Sequence, residues 1–182
     1  ARARMRAVYF KDHWNLTASA AYLVQRIIDD MVADGRLEHR VEVYGGLGLN
    51  HGINPEAVRS ALKYPNCKIL WFPTFKSYGW ARFAQIENRE GYVRLVGANG
   101  EVLPEVREVF ELAAEAGVLC SLGHTDFEEL LPLCTLAKEL GTKTLLDHPL
   151  LELNKLLVDE MSQLADLGTY VGTYCQPMIP SL

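Results

Sequence analysis

Two rhythms of apolar residues alternate along the chain. Short, near-continuous apolar runs at residues 6–10, 41–44, 67–72, 118–122, 143–146 and 170–173 predict six strands. Between them lie stretches with helical spacing. Ala21, Val24, Ile28 and Val32 recur at that spacing in a helix expected over 18–33. Asn54-Pro55-Glu56 combines a cap, a proline at the first helical position and an acid in the first turn, and opens a helix to about residue 62. Further helices are expected over 105–116, 127–140 and 154–167, with Gly117, Gly141 and Gly168 at the helix-to-strand joints. Thr125-x-x-Glu128 and Asp126-x-x-Glu129 both read as capping boxes for the 127–140 helix.

Strands that are apolar along their whole length are covered on both faces, as in parallel sheets. Their alternation with helices predicts an α/β protein: a parallel sheet or a TIM-like (β/α) barrel of about six βα units. A complete eightfold barrel takes about 250 residues. The 182-residue chain is therefore expected to be one domain holding an incomplete barrel, short of the first strand and the closing unit. Two segments break the rhythm. Residues 45–52 are glycine-rich and read as a turn. Residues 75–100 read as a long loop with a short hairpin, one strand of it at 92–96, and the tail 176–180 reads as irregular.

Composition narrows the partners. Net charge is −5 and no long basic run occurs, which argues against nucleic acid and anionic membranes. No apolar run approaches the roughly 20 residues needed to span a bilayer. Cys67, Cys120, Cys134 and Cys175 are widely spaced and form no CxxC, as expected of reduced thiols in a cytoplasmic protein. The open edges of a partial barrel leave room for a homo-oligomer.

The chemistry gathers where strands end. Gly123-His124 follows one strand and Asp147-His148-Pro149 the next, so two successive units each place a histidine at a carboxyl edge, where α/β folds collect ligands. Imidazole nitrogen suits divalent metals, and two on adjacent strand ends can converge on one ion. His124 and His148 are the candidate metal ligands. Lys11 and His13 lie two apart after the first strand and so face one side, with Asp12 on the other. They are candidates for binding substrate or a second metal, as is Thr74 past the third strand. His51 reads as a surface residue and His39 as structural. Asp147 is expected to point away from His148. No catalytic residue is assigned. Neither a phosphate loop, a GxSxG elbow nor an HExxH occurs, and Gly45-Gly46-x-Gly48 lacks dinucleotide-loop spacing.

The ordered set Phe10-Lys11-Asp12-His13, Gly52-Ile53-Asn54-Pro55-Glu56-Ala57-Val58, Trp71-Phe72-Pro73-Thr74, Gly100-Glu101-Val102-Leu103-Pro104-Glu105-Val106, Gly123-His124 and His148-Pro149 resembles the DUF6282 family of amidohydrolase-like proteins. The resemblance implies a (β/α) barrel of the metal-dependent hydrolase type. It matches His124 and His148 to the two histidines that the amidohydrolase superfamily carries on its fifth and sixth strands. The superfamily's first-strand HxH and last-strand aspartate have no counterpart here, and Lys11 is not on the strand that bears its bridging lysine.

The expected function is metal-dependent hydrolysis, with a metal-activated water attacking an amide, ester or related bond of a small molecule. Zinc is the first expectation for the ion, with manganese, iron and nickel as alternatives. The rivals are a metal-dependent decarboxylase or lyase on the same scaffold, a non-catalytic binding or structural protein derived from the barrel, and a phosphate-binding barrel without metal.

Overall fold

The computed structural model describes residues 5–150 and 156–173. The expectations for Cys175, for the tail 176–180 and for the start of a helix at Asn154 lie outside the described residues. Six parallel strands form one curled sheet in chain order: β1 (Ala7–Tyr9), β2 (Glu42–Gly48), β3 (Cys67–Trp71), β4 (Leu119–Ser121), β5 (Lys143–Leu146) and β6 (Tyr170–Val171). Helices fill the connections: α1 (Ala18–Ala33), α2 (Pro55–Leu62), α3 (Tyr78–Phe83), α4 (Pro104–Ala116), α5 (Phe127–Leu140) and α6 (Val158–Asp166). The strand order never reverses, so the sheet has no switch point of the doubly wound kind. Among the described residues β1 and β6 are edges, and the arrangement is a half-barrel.

The two faces of the sheet follow from strand alternation. Val43, Leu70, Phe72, Cys120, Leu122 and Leu146 are buried on the convex side. Most of them join Val58, Val106, Phe110, Leu130 and Leu133 of the covering helices in one core, where the Phe72 and Phe110 rings lie 5.3 Å apart. Tyr9, Ile69, Trp71, Leu119 and Leu145 take the concave side. Helices α4 and α5 both stop at glycines in the left-handed conformation, Gly117 and Gly141, whose amides bond back into the last turn.

The glycine-rich segment turns only in its second half, at residues 49–52. Residues 45–48 continue β2 to Gly48, and the register slips by one residue between Gly45 and Gly46 where β2 meets β3. Close approach is the reason. A Cβ on Gly46 would lie 1.8 Å from the Ile69 carbonyl oxygen. The glycines serve long-range packing, which local turn propensity does not register.

The long excursion after β3 also differs from expectation. It holds α3, which the sequence did not declare, and a parallel bridge of Ser77 with Val93, while the expected hairpin is a minimal one, Val96 bridging Val102 antiparallel across a turn at Asn99-Gly100. Neither predicted capping box forms at α5. Asp126 occupies the N-cap, but its Oδ1 accepts from Arg82 Nη2 at 2.9 Å. Glu129 accepts the amides of Leu95 and Val96 at 3.0 and 3.1 Å. Both carboxylates therefore tie the excursion to α5 instead of capping the helix.

Gly46→Ala is expected to destabilise the fold by about 2 kcal/mol or more, since backbone must move to admit the methyl group. Chemical denaturation reads this directly, and a wild-type midpoint would contradict the close β2–β3 approach.

Candidate functional site

The carboxyl ends of β1, β3, β4 and β5 open onto one region. Tyr9, Lys11, Ile69, Trp71, Leu119, Leu145, Asp147 and His148 line a cavity of about 310 Å³ on the concave side. Lys11 Nζ stands 5.8 Å from the centre of the Trp71 ring. Asp12 turns away from the cavity and accepts the amides of Trp14 and Asn15, which folds the loop after β1 back on itself.

His124 and His148 meet at this edge. Their ring centres are 5.0 Å apart and their planes nearly perpendicular, at 83°. Gly123 permits the approach of the two strand ends, because a Cβ there would lie 2.5 Å from Cβ of Asp147. Phe75 packs against both His13 and His124, with ring centres at 4.6 and 6.0 Å, and Trp80 of α3 lies 6.2 Å from His124. The excursion after β3 thus supplies an aromatic wall to the histidine cluster.

Thr74 is buried, and its Oγ1 lies 2.9 Å from His13 Nδ1 and 2.8 Å from Asn50 Nδ2. It reaches the site through His13. His51 stands apart, stacked on Trp14 at 5.3 Å.

Three residues escaped the sequence reading. Asp147 was expected to face away from His148, yet both line the cavity. The reason is a left-handed backbone at His148, φ 38°, which ends strand alternation there. Ser121 donates its hydroxyl hydrogen to Asp147 Oδ2 from the neighbouring strand. Asn50 joins three distant segments. The available signal for Ser121 and Asp147 was their place at two-residue spacing beyond Leu119 and Leu145, on the concave face of their strands.

Burial sets the electrostatics. Desolvation, then the neighbouring His148, Lys11 and His13, push the pKa of His124 down to about 3. His148 is lowered chiefly by burial, against the opposing charge of Asp147. His13 is lowered by burial and then by Lys11, and Lys11 itself by burial against the pull of Asp147. The histidines are therefore neutral near pH 7, the form that ligates metals.

The pair has the dimensions of an ion site. Two imidazoles on one tetrahedral ion, with bonds of about 2.1 Å, hold their ring centres about 5 Å apart. His124 Nδ1 is buried and has no hydrogen-bond partner among the described residues, an expense that a ligand would relieve. Among the described residues no group of three or more His, Cys, Asp or Glu is arranged to hold an ion. The imidazoles fit a divalent metal as two donors of a set that usually numbers three or four.

Folding strips His124 of proton affinity, so the unfolded chain binds the extra proton between pH 3 and the ordinary value near 6.5. Stability of the metal-free protein is therefore complete above about pH 6.5 and falls on acidification. Between pH 7.5 and 5 His124 contributes a loss of about 2 kcal/mol. Thermal or urea denaturation across this range should show a shallower pH slope in His124→Asn, and equal slopes would contradict the assignment.

The chain matches the family model described as "Family of unknown function (DUF6282)" over residues 1–172, and belongs to that family. No curated protein and no solved structure matches it.

Proposed function

We propose that this DUF6282 member is a metal-dependent hydrolase of the amidohydrolase-like class, on a TIM-like barrel scaffold to which the six described parallel strands belong. The observation that carries the reading is the perpendicular His124–His148 pair, 5.0 Å between ring centres, at the carboxyl edge of adjacent parallel strands. His124 and His148 would hold the ion, and Asp147 lines the cavity beside His148. A zinc or similar ion there would supply Lewis acidity and activate a water for attack on an amide or ester near neutral pH.

The remaining work falls to this chain's own groups. Trp71, Tyr9 and Leu145 offer an apolar surface to a small molecule, and Lys11 offers a donor to its polar end. Phe75 and Trp80 shield the His124 side from water, which strengthens electrostatic contacts within. Asp147, hydrogen-bonded by Ser121, is held at the cavity wall.

A second reading, a non-catalytic binding protein derived from the same barrel, is favoured by the lack of a third donor grouped with the pair among the described residues. Elemental analysis separates the two. After dialysis against zinc and then buffer, the wild-type protein should retain close to one ion per chain. His124→Ala/His148→Ala should retain none while keeping its far-UV circular dichroism. Absence of metal from the wild type, even after reconstitution, would overturn the hydrolase reading and favour the second.

A further inference from the structure

His13, Thr74 and Asn50 form a hydrogen-bonded chain whose directions can be worked out. Asn50 is buried, and its orientation is fixed by its partners. Its Oδ1 accepts the amides of Thr74 and Lys76, at 2.8 and 3.0 Å. Those donors can only meet an oxygen. Its Nδ2 donates to the His13 carbonyl at 2.6 Å and to Thr74 Oγ1 at 2.8 Å. Thr74 Oγ1 therefore receives a hydrogen from Asn50 and has one of its own to give. Thr74 is 4 % exposed, and the only acceptor within hydrogen-bond distance of its hydroxyl among the described residues is His13 Nδ1, at 2.9 Å. A buried hydroxyl donates where an acceptor is in reach. His13 Nδ1 must then carry a lone pair, and the ring's hydrogen sits on Nε2.

We propose that Asn50 and Thr74 lock His13 as its Nε2–H tautomer, so that His13 serves the site as a neutral hydrogen-bond donor to a carbonyl or carboxylate oxygen of the substrate and not as a ligand of an ion. The neutral ring has one lone pair, and Thr74 occupies it. Nε2–H meets no acceptor among the described residues and is left for a bound molecule. Lys11, two residues away at the same edge, is the second donor that such an oxygen would meet. The histidines of this edge thus divide their work. Among the described residues His124 Nδ1 is buried without a hydrogen-bond partner, whereas His13 has its corresponding nitrogen engaged from behind. Asn50 and Thr74 are positioning residues, acting through His13. The role of His13 toward a substrate rests on the reading of this edge as the active site; the tautomer does not.

Long-range proton–nitrogen NMR of the histidine-labelled full chain at pH 8 reads the tautomer, with His13→Gln assigning the signals. The expected pattern is a single species with Nδ1 in the unprotonated range and Nε2 protonated. A protonated Nδ1, or averaging of the two forms, would overturn the lock. In Asn50→Asp the new carboxylate accepts the Thr74 hydroxyl, so Thr74 turns its lone pair to His13 and the hydrogen moves to Nδ1. Thr74→Val removes the constraint and gives averaged signals, and keeps the test open should Asn50→Asp fail to fold. Wild-type patterns in both folded variants would show that the chain does not direct the ring. Acetate, the simplest oxygen acceptor, should shift the Nε2–H proton of the wild type, and a resonance unmoved at high acetate would overturn the donor role. Zinc should move the His124 and His148 signals and leave the His13 nitrogens in place. A zinc-induced change at His13 would overturn its exclusion from the metal. No response to zinc at any histidine would sink the hydrolase reading alone, with the tautomer intact.

Discussion

Parallel pairing of the six strands in chain order is the constraint on which everything else depends. Each strand joins the next through hydrogen bonds that put all six carboxyl ends on one edge. Residues remote in sequence, such as Lys11, Trp71, Ser121 and Asp147, become neighbours because each lies at the same level of its own strand or just beyond it. Small side chains let the pairing tighten where the site needs it. Gly46 admits the Ile69 carbonyl, and Gly123 admits Asp147. The second contact draws the two histidine-bearing strand ends together.

Burial then converts geometry into chemistry. An imidazole removed from water resists protonation, and each neighbouring cation adds to the resistance. His124 and His148 are kept neutral at a place where Lys11 and His13 also stand. This arrangement costs stability in acid and leaves lone pairs available at neutral pH. The aromatic wall of Phe75 and Trp80 belongs to the same logic, since it comes from an excursion that Asp126 and Glu129 pin onto α5. Carboxylates placed at a helix start hold the site closed on one side.

Much of this was legible in the sequence. Strands covered on both faces read as apolar runs, and five of the six helices follow from spacing, caps and terminal glycines. His124, His148, Lys11 and His13 were legible as strand-end residues. What local reading could not supply has long-range causes. The glycines of 45–48 look like a turn because their close contacts, to Thr17, Ile69 and His13, come from elsewhere in the chain. Helix α3 has six residues, too few for periodicity to declare itself. The orientation of Asp147 depends on one left-handed residue, His148. Asn50 has meaning only once the loops after β1, β2 and β3 lie side by side.

The central claim is that His124 and His148 share one ion, and crystals of the zinc-loaded full chain test it most directly. Anomalous scattering at the zinc edge should place a single strong peak within bonding distance, about 2.1 Å, of one nitrogen on each ring. A peak bound to only one of them, or one lying elsewhere on the protein, would contradict it.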